Sequence, residues 1–284
     1  MKRFHLHLVS DATGETINSV ARAAIAQFED VEAVEHFWSL VRSKKQIDNV
    51  LAGVEVNPGV VMYTLVDAVL RDQLEEGCRR LQVPSVPLLE PVIAVLSNHL
   101  GIEARGLPGH QHALDAEYFT RIDAMHFVLS HDDGQMLHNL DSADVVLVGV
   151  SRTSKTPTCF YLANRGIKAA NVPLVPGTEL PPEIEKLDKP LVVALTVTPE
   201  RLVEIRRNRL RVLNQEEETD YVDLERVTEE VLTARRVYAK HRWPVIDVTR
   251  RSIEEIAAAI LQHMARRLGG EVIFSTRVAP HAAT

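Results

Sequence analysis

Cysteine is scarce: the 284 residues hold two, Cys78 and Cys159. They cannot make a disulfide framework or a four-thiolate metal site, so a reduced, cytoplasmic protein is expected. No apolar run approaches the roughly 18–20 residues that a membrane-spanning helix needs. At the N-terminus Lys2 and Arg3 are followed by His5, His7 and Asp11, and no signal peptide is expected. Basic charge is also in short supply, 32 Lys and Arg against 39 Asp and Glu for a net −7. A global electrostatic clamp on nucleic acid is not expected from that balance. What remains is ordinary globular composition, 45% hydrophobic and 25% charged. The composition fits neither a collagen-like nor a largely disordered chain. At roughly 100–200 residues per domain, the length suggests two domains, each able to bury its own core.

Along the first hundred residues, strand-like and helix-like apolar patterns alternate. Strands are predicted over 4–10, 36–41, 59–65 and 83–89, and helices over 14–28, 44–51, 67–81 and 91–100. Residues 59–65 (GVVMYTL) form a nearly continuous apolar run, as suits a strand buried on both faces. The 67–81 helix is expected to turn Val69, Leu70, Leu74 and Leu81 inward. Such alternation implies right-handed parallel crossovers and a doubly wound sheet. Gly101, Gly106, Pro108 and Gly109 then break the pattern, followed by a helix over 115–129 and the polar turn His131-Asp132-Asp133-Gly134. A domain boundary is placed in this stretch, dividing the chain into 1–140 and 141–284.

The second half repeats the α/β alternation without repeating the sequence. Strands are predicted over 144–150, 170–175, 191–197 and 244–248, and helices over 157–164, 199–213, 220–241 and 252–268. Pro157 suits a first helical turn, Gly166 a helix end, and Ser252 with Glu255 a capping box. The tail from Arg277 is expected to be disordered.

The octet Gly149-Val150-Ser151-Arg152-Thr153-Ser154-Lys155-Thr156 lies between a buried strand and a helix, the setting in which a Walker A loop has meaning. Backbone N–H groups there can converge on a diphosphate. Lys155 can reach the terminal phosphoryl oxygens, the Thr156 hydroxyl can ligate Mg²⁺, and Arg152 adds a second cation. Ser154 stands where the usual pattern has its second glycine. If that position needs positive φ, serine costs about 1 kcal/mol. The alternative is a tight strand-to-helix turn with an exposed lysine.

The stretch GVSRTSKTPTCFYLANRGIKAANVPLVPG resembles the signature of the pyruvate, phosphate dikinase regulatory protein family. HLHLVSDATGET, PGHQHALDAEYF, the HDDG turn and WPVIDVTRRSIEEIAAAI resemble the same family's other blocks, so the resemblance spans nearly the whole chain. It implies a P-loop kinase-like C-terminal α/β domain and a bifunctional enzyme. One activity phosphorylates a threonine of the dikinase with ADP as donor, inactivating it. The other removes that phosphate onto inorganic phosphate, releasing pyrophosphate. A sister family acting on phosphoenolpyruvate synthase usually carries Cys-Gly where this chain has Thr153-Ser154, which favours the dikinase as target. A homodimer is compatible with the sequence.

Other residues keep two readings each. Asp132 and Asp133 can take an acceptor's proton or hold Mg²⁺, or simply make an Asp-Gly turn with His131 at the surface. The stretch 10–15, SDATGE, ends the first strand, where α/β sheets bind ligands, yet also reads as a turn and N-cap. Arg201, Arg206, Arg207, Arg209 and Arg211 can form a lid over phosphates or a solvated helix face. His110 and His112 lack the companions a zinc site needs. No aspartate ends an apolar strand in Walker B fashion, so the Mg²⁺ ligand beyond Thr156 stays open. Two other functions compete, a P-loop kinase for a small metabolite and a non-catalytic nucleotide sensor.

Overall fold

The computed structural model describes residues 1–107, 116–212 and 220–267. The chain divides into two compact units, residues 1–113 and 114–284. The boundary expected at residue 140 therefore falls inside the second unit. The physical reason is the helix that precedes it, whose Ala124, Phe127 and Val128 are buried in the second unit's core.

The first unit runs β1 (Lys2–Val9), α1 (Glu15–Ile25), β2 (Val31–Trp38), α2 (Lys44–Val56), β3 (Gly59–Tyr63), α3 (Ala68–Arg80), β4 (Ser85–Pro87) and α4 (Glu90–Leu100). Its four strands are parallel, in the order β2-β1-β3-β4. β1 feeds two cores because its side chains alternate. Leu6 and Leu8 pack with Ile17 and Ala21 of α1, while Val9 faces Val50, Val54 and Leu74. β2 begins five residues earlier than expected, its Glu32 and Glu35 exposed on an edge strand. On α3, Leu70 and Leu74 are buried but Val69 is exposed, against expectation. Helix α4 buries none of its residues, and Val92, Val95, Leu96 and Leu100 are all exposed.

The second unit runs α5 (Ala116–Ser130), β5 (Val145–Gly149), α6 (Lys155–Ala163), β6 (Ala169–Pro173), α7 (Pro182–Glu185), β7 (Leu191–Thr196), α8 (Pro199–Val212), α9 (Leu224–His241), β8 (Val245–Asp247) and α10 (Ile253–Arg267). Its parallel strands follow the order β6-β5-β7-β8, so both sheets begin at an inner strand and reverse direction beside it. The shared order was invisible in the sequence, since topology needs only the alternation of strand and helix and not the same residues. β5 is buried along its whole length. The capping box forms as expected, with Ser252 N–H donating to Glu255 Oε2 at 2.8 Å and Glu255 N–H to Ser252 Oγ at 3.2 Å. The expectations for His110, His112 and the tail from Arg277 lie outside the described residues. Among the described residues no helix is long and apolar enough to cross a membrane, and both cysteines are free and buried.

Leu147 sits fully buried in the centre of β5. Leu147→Ala should lower unfolding stability by about 2–5 kcal/mol. Val95→Ala on exposed α4 should change it by no more than about 0.5 kcal/mol. Urea denaturation of the two variants checks the contrast.

Candidate phosphate-loop site

In open α/β sheets, ligands bind beyond the carboxyl ends of the strands where the strand order reverses. In the second unit that place is the end of β5, occupied by residues 149–156. The chain must leave a fully buried strand and enter α6 within five residues. Arg152 and Ser154 make the turn with φ of 72° and 60°, in the left-handed region. Ser154 is the N-cap of α6 and makes no side-chain cap hydrogen bond, so its hydroxyl does not occupy the first-turn amides. Gly149 is required by close approach. A Cβ there would lie 2.7 Å from the Leu195 carbonyl oxygen and 2.8 Å from Thr153 Oγ1.

Lys155 is buried, not exposed on the loop as a plain turn would leave it. Its ammonium donates to the Val150 carbonyl oxygen at 2.8 Å, which also accepts the Thr153 hydroxyl at 2.9 Å. Burial pulls the Lys155 pKa down to about 8, with Asp133 the strongest of the groups opposing that fall. Arg152 is exposed, its Nε donating to the Tyr221 hydroxyl at 3.4 Å.

The HDDG turn meets the loop. Residues Asp132–Gly134 form a short 3₁₀ turn with Asp133 left-handed, φ 49°. The Thr156 hydroxyl donates to Asp132 Oδ1 at 2.9 Å. Asn171, in the middle of β6, holds the assembly through one amide nitrogen. Its Nδ2 lies 2.6 Å from Asp132 Oδ1, 2.9 Å from Thr156 Oγ1 and 3.2 Å from Asp133 Oδ1. An amide nitrogen carries only two hydrogens. The two shorter contacts use them, which leaves Asp133 the less engaged carboxylate. Asn171 Oδ1 is buried without a hydrogen-bond partner among the described residues. Two carboxylates and a hydroxyl beside a phosphate loop are hard oxygen donors of the kind Mg²⁺ takes. No group of three or more His, Cys, Asp or Glu is placed to hold a metal among the described residues.

His131 is buried rather than at the surface. Its Nδ1 bonds the Phe127 carbonyl at 2.8 Å, and its ring stacks on Phe127. Its carbonyl accepts Asn171 N–H at 3.1 Å, so it anchors the turn to β6.

The arginines of α8 separate. Arg207, Arg209 and Arg211 are exposed, and exposed Arg201 pairs with Glu204 at 2.6 Å. Arg206 turns inward, 2% exposed. It grips Glu230 with both terminal nitrogens at 2.7 and 2.8 Å, reaches the Ser151 carbonyl at 3.3 Å and the Tyr221 carbonyl at 3.2 Å, and lies over the Tyr221 ring. Asn171 was missed from the sequence, and Arg206 was read there only as one of five arginines of a lid or a solvated face, not as a buried tie to the loop. Their signals were a polar residue inside an apolar strand and a charge sharing the helical face of Leu202 and Val203.

The equivalent place in the first unit holds the stretch 10–15. Asp11 Oδ2 accepts Val66 N–H at 2.8 Å, and Arg42 Nε donates to the Asp11 carbonyl at 2.7 Å. Ser10 Oγ accepts from Ala12 N–H at 3.2 Å and from the Thr64 hydroxyl at 3.0 Å. Burial raises the Asp11 pKa. The N-cap of α1 is Gly14, left-handed and without a side-chain cap bond, rather than aspartate or threonine.

Fold and loop geometry define the class: a parallel α/β protein whose second unit fits a P-loop kinase-like fold. The chain belongs to the kinase/pyrophosphorylase family, which matches residues 6–261. It is similar to a protein of Paramagnetospirillum magneticum, 62% identical over 94% of this chain and 86% of the relative. It is also 54% identical to a protein of Erythrobacter litoralis, covering 92% and 94%, and to one of Caulobacter vibrioides, covering 91% and 82%. All three are provisionally named pyruvate, phosphate dikinase regulatory protein. Membership supports a phosphotransferase.

The left-handed Ser154 gives a direct test of the loop. Ser154→Gly removes a Cβ from positive φ and should stabilise the protein by about 0.5–1 kcal/mol. The shift of the urea midpoint reads it, and an unchanged or lowered midpoint would mean that the side chain repays its strain.

Proposed function

We propose that the protein regulates pyruvate, phosphate dikinase through two phosphoryl transfers at the loop 149–156. In one, ADP phosphorylates a threonine of the dikinase and inactivates it. In the other, inorganic phosphate removes that group as pyrophosphate and restores activity. The observation that carries this reading is the junction of Lys155, Thr156, Asp132, Asp133 and Asn171 at the end of β5. The family membership and the relatives' names add the partner.

The geometry supports the following roles. Amides of residues 149–156 and of the first turn of α6 cradle the diphosphate. Lys155 and Arg152 neutralise charge on the transferring group. Thr156 and Asp132 would hold Mg²⁺, which would supply further charge neutralisation for the diphosphate. Asp133, the less engaged carboxylate, takes the proton of the acceptor hydroxyl as its oxygen bonds to the β-phosphorus, and the β-phosphorus–oxygen bond to AMP breaks. In the other reaction Asp133 takes the proton of the attacking hydrogen phosphate as its oxygen bonds to the phosphothreonine phosphorus, and gives it to the threonine oxygen as that phosphorus–oxygen bond breaks. A single cradle serves both, because ADP and the nascent pyrophosphate present the same diphosphate.

ADP labelled at the β-phosphate, incubated with purified dikinase, should place label on threonine. Label on a small acceptor without the dikinase would favour a metabolite kinase instead. Lys155→Ala should reduce both transfers by at least 10³-fold while the protein stays folded, since it loses its phosphate cation. A regulatory effect that survives this substitution would favour a sensor. ADP should inhibit phosphothreonine removal competitively against phosphate, and Arg152→Ala should impair both directions. Initial rates over a grid of the two ligands decide between one cradle and two.

The depressed Lys155 pKa sets a pH dependence. Below about 8 the ammonium is charged and ADP affinity is level. Above it, binding must first return a proton to the amine, so affinity falls by up to ~10-fold per pH unit. Calorimetric titration between pH 7 and 10 should show that decline together with proton uptake. In Lys155→Ala, both should vanish.

A further inference from the structure

A cavity of about 650 Å³ opens beside the loop, in the second unit. Val150 and Ser151 line it on one side, the segment after β6 on a second, and α9 on a third. Its lining is largely apolar, Leu174 and Val237 among it, and two exposed carboxylates, Asp220 and Glu229, stand at its border. Neither makes an ion pair among the described residues, whereas Glu230 is neutralised by Arg206. Against these two carboxylates stands one basic side chain, Arg226.

Position and charge together select the occupant. Of the proposed cradle, residues 149–156, Val150 and Ser151 line the cavity, whereas Lys155 and Thr156 do not. The cavity meets the loop at its opposite end. In-line transfer places entering and leaving oxygens on opposite sides of the phosphoryl group. A segment seated in the cavity would bring its hydroxyl to the loop at Val150 and Ser151, beside the phosphoryl group. Its net negative border is unfavourable for a polyphosphate and favourable for a cationic side chain.

We propose that this cavity seats the acceptor: a polypeptide segment carrying the threonine, with an apolar neighbour in the pocket between Leu174 and Val237 and a Lys or Arg against Asp220 and Glu229. The assignment rests on the transfer reading above and adds to it the sequence preference of the acceptor.

The probes are fluorescent threonine peptides with a leucine neighbour fixed and the flank set to Lys, Ala or Glu, measured by anisotropy with no turnover required. The protein should bind the Lys-flanked peptide at least 10-fold more tightly than the Glu-flanked one. Glu229→Lys should abolish or reverse that ratio, and Glu229→Gln should give an intermediate value. Thr233→Trp, from an exposed position that lines the cavity, should weaken all three peptides at least 10-fold. ADP affinity should stay within twofold in each variant, and urea midpoints report that each is folded. Weakened ADP binding with unchanged peptide binding would make the cavity a nucleoside seat and overturn the proposal. So would an absence of flank discrimination in the unsubstituted protein. Peptide discrimination without threonine labelling from ADP would retain the docking site and remove the transfer reading, so the two fail separately.

Discussion

The buried ammonium of Lys155 is the constraint around which the second unit is arranged. A charge taken out of water is costly unless it is hydrogen-bonded and faces opposite charge. The Val150 carbonyl gives the hydrogen bond, and Asp133, Asp132 and Glu230 lie in the field that opposes its deprotonation. That arrangement dictates the left-handed turns at Arg152 and Ser154. The loop must fold back on itself for a side chain at the start of α6 to reach a carbonyl five residues earlier. The strain is local and is held by the strand and helix on either side.

Two side chains far away in sequence carry the rest of the load. Asn171 joins the 132–134 turn to Thr156, and Arg206 joins Ser151 to Tyr221 and Glu230. Both are buried polar groups that make several hydrogen bonds, and among the described residues each retains one orphaned atom, Asn171 Oδ1 and Arg206 Nε. Removing either partner of the Arg206–Glu230 pair would strand a charge inside the protein, which is more costly than the pair itself is favourable. Such networks raise the stakes of misplacement and so specify one arrangement of the loop.

Much of the architecture was legible in periodicity. Among the described residues the strands and long helices overlap the ranges that apolar spacing placed, β2 the least, because burial on one or two faces leaves a direct imprint on residue order. Errors arose where the imprint weakens. β2 carries exposed glutamates on an edge strand, α2 continues five residues past its expected end, and α4 is apolar yet unburied, so its composition overstated its role in the core. The strand–loop–helix junction at residues 149–156 was legible because its spacing and its flanks are short-range features. Asp132 and Asp133 were legible only as a turn with a second reading. Their meeting with Thr156 depends on a β-strand residue 39 positions away from Asp132.

The sequence by itself determined the α/β class, the parallel crossovers, the strand-to-helix loop at residues 149–156 and, through extended blocks of likeness, the family. Each follows from local pattern, which chain order records. Tertiary structure alone decided that the domain boundary precedes α5, that Lys155 and His131 are buried, and that one arginine of five on α8 turns inward. It also decided which carboxylate is engaged and which is less so, since two amide hydrogens cannot serve three acceptors equally. Those outcomes depend on which surfaces and dipoles meet once the sheets are stacked with helices. No pattern along the chain encodes that meeting, because it is a property of pairs of residues brought together only by the fold.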